Sequence, residues 1–354
     1  MQTEPCFPLS RKAPPQGDPY GADIPSPIER PDIRPSDPIR RGSLPRGVYR
    51  PIPVNRRDVA QEMSDIVFGD SPKMARFLVS TWNAQSEAIK FEEIANAVAT
   101  GELPQNWNEE FEELYANAIE EECEFYYKRA IRKGSHRMVA GIEGLGIEHD
   151  FQLLGGKLTE WIEKRSATLV VDITDIQRQA LRKLLRNQLI IDPLGPREIG
   201  ILIRPLIGNT EREAAWVSQR FNDLLKGGLS EEKALRQAEI FSGYLRRKRA
   251  IRIARTELAF AYNNGSRLAV QDAIEGGAFP PGDGVVKVWY AQEDERTCPF
   301  CGQLHGQIVG FEQTFPAVTK QLPNVFVPPA HPHCRCVILY QIDEAPEPEV
   351  KPVE

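Results

Sequence analysis

Residues 298–301 read CPFC and residues 331–336 read HPHCRC, so four of the six cysteines stand within 39 residues of the chain. Each stretch offers donors with two residues between them beside Pro or Gly turns, with 29 residues between Cys301 and His331. Two such loops can each place two ligands on one tetrahedral Zn2+, because a thiolate at either end of a short turn reaches the ion without backbone strain. Cys298, Cys301, His331 and Cys334 form the best-spaced set, with Cys336 as alternate ligand and His333 as a further substitute. Unrelated buried thiols, a structural disulfide and a redox-active CxxC compete with this reading. The last is disfavoured because no preceding strand and following helix are read around Cys298 and Cys301.

The segment around these cysteines shows alternation rather than helical spacing. Residues 286–290 (VKVWY), 307–309 (QIV) and 336–340 (CVILY) are expected to be short strands. A unit of roughly 60 residues with three short strands has a small core, and one structural zinc per chain would help to hold it.

Upstream the pattern is helical. Ser230 is placed to cap a long helix reaching about Gly276, and further helices are expected at 157–166, 174–190, 196–204 and 210–226. Ser71-Pro72 is read as the start of a helix ending at Gly101, and Asn106 as the cap of one ending before Gly134. The Gly-rich residues 134–156 read as a connection or hinge. Residues 1–56 hold 13 of the 29 prolines, which suits an extended, disordered Pro/Arg-rich arm. The expected architecture is mainly α with a small α+β C-terminal zinc-stapled unit and a disordered N-terminal arm. Its divisions are the arm at 1–56, a helical domain at 57–156, a second helical part at 157–277, a zinc-binding β unit at 278–341 and an acidic tail at 342–354.

Composition narrows the function. Hydrophobic residues make up 41% and charged residues 27%, enough for a folded core. No run of 18 apolar residues occurs, so no membrane contact is expected, and the absence of an apolar leader points to a reducing cytoplasm. The net charge of −6 argues against a globally basic nucleic-acid binder. Local patches are a different matter. Residues 244–257, YLRRKRAIRIARTE, hold Arg246, Arg247, Lys248, Arg249, Arg252 and Arg255. Ile240, Tyr244, Ile251, Ala254 and Leu258 are read as their apolar stripe, with Lys248, Arg252 and Arg255 on another face. The stripe is read either as a solvated face or as a surface for phosphate or acidic partners.

Three further stretches carry a resemblance: IARTELAFAYNNG (253–265), VWYAQEDERTCPFCGQLHGQIV (288–309) and PPAHPHCRC (328–336). Together they resemble the head-morphogenesis minor capsid proteins of tailed phages, the Mu F-like family. The motif residues fall on Arg255, Thr256 and Glu257, on Trp289, Asp294, Arg296, Cys298, Cys301, Leu304 and Gly306, and on His331, Pro332, Cys334, Arg335 and Cys336. The resemblance covers about residues 210–340. It implies a virion protein of the head interior or portal vertex, assembled in the bacterial host cytoplasm. Its implied partners are the portal protein and capsid or scaffold proteins, with double-stranded DNA as an open question. No catalytic residue follows from it. The alternatives are a zinc-dependent hydrolase or nuclease, using Asp294 or Glu295 beside the metal or an Arg255/Glu257 pair, and a cellular zinc-binding nucleic-acid module.

Overall fold

The computed structural model describes residues 49–100, 102–103, 106–148, 150, 156–190, 196–279, 284–292, 294–316 and 324–343, with some helical side chains left out of the description. The expected arm up to residue 48, Cys6 and the tail from 344 onward lie outside the described residues. The elements follow in the order β1 (Tyr49–Pro51), α1 (Arg56–Ala88), α2 (Phe91–Thr100), α3 (Asn106–Glu143), α4 (Gly156–Ile190), α5 (Pro196–Leu206), α6 (Glu211–Lys226) and α7 (Glu231–Glu275). After α7 come β2 (Val285–Tyr290), α8 (Pro299–Leu304), β3 (Ile308–Gly310) and β4 (Val337–Asp343). The protein is mainly helical with a small sheet near its C-terminus.

Helix α7 organises the body, and α1, α3 and α6 all pack on it. Its sequence explains why. Ser230 occupies its N-cap position without a side-chain capping bond, Glu231 and Glu232 favour its first turn, Gly276 ends it, and no proline interrupts it. Its buried positions include Ala234, Ala238, Ala250, Ala254, Ala261 and Ala269, small side chains that let neighbouring helices come close. Helix α6 is fixed at its start by a capping box. The Thr210 hydroxyl accepts from the Glu213 backbone N–H at 3.3 Å, and the Glu213 carboxylate accepts from the Thr210 N–H at 2.8 Å.

Three sequence-based expectations are corrected by the helical body. Pro72 does not open a helix; it lies inside α1, which runs from Arg56 and buries Met63, Met74, Leu78 and Trp82 on both sides of the proline. That burial outweighs one missing backbone hydrogen bond. The expected hinge is likewise absent from 134–143, because α3 continues through Gly134 and Gly141 to Glu143. Helix α4 is continuous where two helices were read.

The four strands pair antiparallel in the order β1-β4-β2-β3. Tyr49 pairs with Asp343, Val288 with Leu339, and Val286 with Gly310. Strand β1 comes from the end of the Pro-rich stretch and β4 extends two residues into the expected tail, so both boundaries shift. The sheet separates two apolar cores. Tyr290 and Val337 face the helical body, while Val285, Trp289, Ile338 and Tyr340 face a smaller core containing Cys301, Cys334 and Cys336. The period-2 alternation of β2 and β4 produces this two-sidedness.

Candidate metal centre

Cys298 ends the loop after β2 and occupies the N-cap of α8, where its sulfur accepts the Cys301 backbone N–H at 3.3 Å. Strand β2 therefore precedes this CxxC and α8 starts inside it, which corrects both grounds given against a redox reading. Other neighbours bear on the chemistry instead. On the opposite loop, a turn closed by the Cys334 N–H and the His331 carbonyl at 3.1 Å presents His331 and Cys334. His331 Nε2 lies 3.0 Å from the Cys298 sulfur and 3.1 Å from the Cys301 sulfur. The Cys301 and Cys334 sulfurs are 3.7 Å apart. Cys301, Cys334 and Cys336 also have their sulfurs within 4.8 Å of one another.

This donor set fits a zinc ion. Tetrahedral zinc with sulfurs at about 2.3 Å separates them by about 3.8 Å, close to the Cys301–Cys334 spacing. The His331 Nδ1 is 2.8 Å from the Pro332 carbonyl, a contact that suits an Nδ1–H donor and turns Nε2 toward the thiols, where loss of its proton would free a lone pair for a metal. All five cysteines among the described residues are free thiols. His333 lines the same pocket, but its ring is outside both donor groups; its backbone takes a φ of 63° within the turn.

The crowded donors polarise each other. A hydrogen bond from the Cys301 thiol, with His331 nearby, pulls the Cys298 thiol down to about 4. Hydrogen bonds from Cys301 and Cys336 hold Cys334 below the ordinary thiol range. Hydrogen bonding toward Cys298 and Cys334 pushes Cys301 up. Burial acts to lower the His331 imidazole, yet Cys298 and Cys334 lift it to about 9. Two thiolates beside an imidazole make a soft, anionic site for a divalent cation.

Asp294 and Arg335 join the two cysteine-bearing loops. The Arg335 guanidinium forks onto the Asp294 carboxylate at 2.5 and 2.7 Å, and Arg335 stands between Cys334 and Cys336. The same carboxylate accepts the Arg296 N–H at 3.0 Å, closing the turn that delivers Cys298. The Arg335 fork is the main reason that the Asp294 carboxyl falls to about 2. Its oxygens are thus committed to scaffolding, which weakens its candidacy as a catalytic base. Gly306, at φ 75°, donates its N–H to Trp289 O at 2.8 Å and lets the chain turn back under α8. The buried Trp289 packs edge-on against Phe315.

Sequence reasoning missed Asn263. This buried residue donates to the Cys336 carbonyl at 3.2 Å and accepts the Ile338 N–H at 3.0 Å, tying α7 to the strand that leaves the site. Nothing in spacing marks it; only the helix-to-strand contact does.

The ARTE residues do not form one group. Arg255 lies 4.7 Å from the Phe68 ring centroid on α1, and Thr256 bonds back to Arg252 O. Glu257 turns inward, where Arg165 holds it with two bonds of 2.5 and 2.7 Å and the Tyr127 hydroxyl donates at 3.0 Å. The expected Arg255/Glu257 pair is therefore divided between opposite sides of the helix.

The basic stripe is also divided. Arg249 is 2% exposed, donates to Gly208 O at 2.6 Å and lies against Trp82, so it belongs to the core. Arg252 reaches Glu213 at 3.7 Å, and Arg246 and Arg255 are half-buried. Arg247 is exposed, and Lys248 lies over the Tyr244 ring. The apolar stripe is corrected too, since Ile240 and Tyr244 face outward while Leu245, Ala250, Ala254 and Leu258 are buried.

Among the described residues no helix is long and apolar enough to cross a membrane. Neither the curated proteins nor the solved structures compared with this chain include a match. Residues 216–339, which include α7, the β2–α8 segment and both cysteine-bearing loops, match the family described as Phage Mu protein F like protein, and over this part the chain is similar to that family.

Proposed function

We propose that the protein is a non-enzymatic phage head protein, a minor component assisting head morphogenesis at the portal vertex, with a structural zinc stapling its C-terminal unit. A head-morphogenesis role fits the Mu F-like match. The observation that carries the metal part is the convergence of Cys298, Cys301, His331 and Cys334 from two loops braced by Asp294 and Arg335. Zinc would supply cross-linking of the two loops, a structural task for a core this small. Cys298, Cys301, His331 and Cys334 would hold it, with Cys336 behind them as the alternate donor. We infer no catalytic residue, because the acid nearest the ligands in sequence with described contacts, Asp294, is occupied by Arg335. Portal, capsid or scaffold proteins are the proposed partners, through the outward side chains Arg247 and Lys248; DNA is the second candidate for that contact.

Elemental analysis of protein purified without added metal is expected to give about one zinc per chain. A Cys298→Ser/Cys301→Ser double variant should lose it and should unfold at lower temperature. Metal-free parent protein with the same thermal unfolding as the zinc-loaded form would remove the metal from this reading. Mass spectrometry of purified heads should find the chain with the portal, and its absence there would overturn the head assignment.

A further inference from the structure

The outward face of the α6–α7 hairpin displays side chains that the helical core does not use. Ile240 is 59% exposed and Tyr244 is 41% exposed, one turn apart on α7. The outer face of a surface helix is ordinarily polar, so an apolar pair there wants a cover. Cations bracket it on the same ridge, with exposed Arg236 a turn before Ile240 and exposed Arg247 a turn after Tyr244. Two more are steadied by rings. Lys248 Nζ lies 4.5 Å from the Tyr244 centroid, and Arg220 of α6 lies 5.4 Å from that of Phe241. Ring faces hold such heads in place, which reduces the ordering cost when an acidic group arrives.

Two features choose the occupant. Side chains as apolar as Ile240 gain little from a phosphate backbone, which rewards donors and charge. The cations also fail to form the continuous stripe that a phosphate backbone would track, since Arg249 is buried and Arg252 is held by Glu213. A helix with an apolar pair one turn apart fits along Ile240 and Tyr244, and acids flanking that pair would reach Arg236, Arg247 and Lys248.

We propose that this face docks an acidic amphipathic helix of a partner protein. The inference deepens the head-protein reading by naming the surface, and rests on it only for the partner being another head component. The ridge acid Glu239 lies near Arg246 and moderates the charge without cancelling it.

The test places a photoreactive side chain, Tyr244→p-benzoylphenylalanine, in the full chain within the cells that assemble the heads. The expected adduct maps to a helical peptide of another protein, with Asp or Glu flanking an apolar pair one turn apart. An Arg236→Glu/Arg247→Glu variant, both positions being exposed, should lower its yield roughly tenfold without moving thermal unfolding. The proposal is overturned by the absence of a protein adduct, by an adduct with a non-acidic segment, by one only with a second copy of this chain, or by one indifferent to charge reversal. It is equally overturned if a duplex of about 20 base pairs binds the parent with a steep salt dependence and that binding is lost in the charge-reversed variant. Separate mass spectrometry of purified heads distinguishes the readings. An acidic-helix adduct with the chain missing from heads would keep the surface and discard the head assignment.

Discussion

Gly134 of α3 and Gly265 of α7 bring the two helices into backbone contact. A Cβ on Gly134 would stand 2.1 Å from the Tyr262 carbonyl oxygen, and one on Gly265 would stand 2.1 Å from that of Ile131. The following residues complete the contact reciprocally. The Ser135 hydroxyl donates to Gly265 O at 3.0 Å, and the Ser266 hydroxyl donates to Gly134 O at 3.2 Å. Two Gly-Ser pairs, 131 residues apart in sequence, thus form one crossing.

This crossing sets the first expectation. Gly134→Ala or Gly265→Ala must push backbone from backbone, and we expect each to cost about 1–3 kcal/mol or more. Gly69, also inside a helix, has nothing within 4 Å of an added Cβ. Gly69→Ala should therefore stabilise by roughly 0.5–1 kcal/mol through helix propensity. Urea titrations of the three variants check this, and equal effects at Gly69 and Gly134 would refute the close-approach argument.

Glu257 tests the buried ion pair. Its side chain is 4% exposed and that of Arg165 is 26% exposed, so removing the charge leaves a guanidinium partly desolvated without its partner. Glu257→Gln is expected to cost about 3 kcal/mol, the lower end of the range for breaking buried pairs, because Arg165 keeps some water. The Tyr127 hydroxyl, driven up mainly by burial and then by the Glu257 charge, should titrate lower in the variant. An unchanged unfolding midpoint would mean that the pair only fills space.

Asp294 separates scaffold from ligand. Asp294→Asn keeps the shape but weakens the fork to Arg335, and we expect metal affinity to fall by about 10–100-fold in a chelator competition, with stoichiometry unchanged. Cys334→Ser should lose the metal, whereas Cys336→Ser should retain most of it. A metal-free Asp294→Asn protein would mean that the carboxylate is itself a ligand.

Much of this molecule was legible in the sequence, and the unread parts share a cause. The start of α6 and the end of α7 follow from local signals at Thr210 and Gly276, and the convergence of the two cysteine-bearing loops follows from cysteine spacing. Gly134 misled because a glycine that permits helix contact and one that ends a helix look alike until the partner helix is known. Arg249 misled for a related reason. In sequence it is one of six cations, and only the Gly208 carbonyl and the Trp82 ring distinguish it as a core residue. The outward turn of Ile240 and Tyr244 shows the same dependence on the neighbouring helix, since Ala234 and Ala238 form the inward face there.

Lys287 gives a pH-dependent expectation. This residue of β2 is fully buried, and its ammonium donates to the Gln313 carbonyl at 2.6 Å and the Phe326 carbonyl at 3.0 Å, 3.5 Å from the Phe326 ring centroid. Burial lowers its pKa from 10.5 to about 7; Glu312 opposes the shift and Arg267 adds to it. Between those two values the unfolded chain holds a proton that the native chain has released, so the native state gains stability as pH rises from about 7 to 10.5. Below that window both states are charged and the contribution is flat. We therefore expect the urea midpoint of the parent to rise relative to Lys287→Met between neutral and alkaline pH. Lys287→Met leaves the two carbonyls without this donor, so the comparison rests on the slope with pH and not on absolute stability. Parallel curves for the two proteins would mean that the carbonyls and the Phe326 ring keep the ammonium charged throughout, and Lys287 would then be a permanent cationic clamp on Gln313 and Phe326.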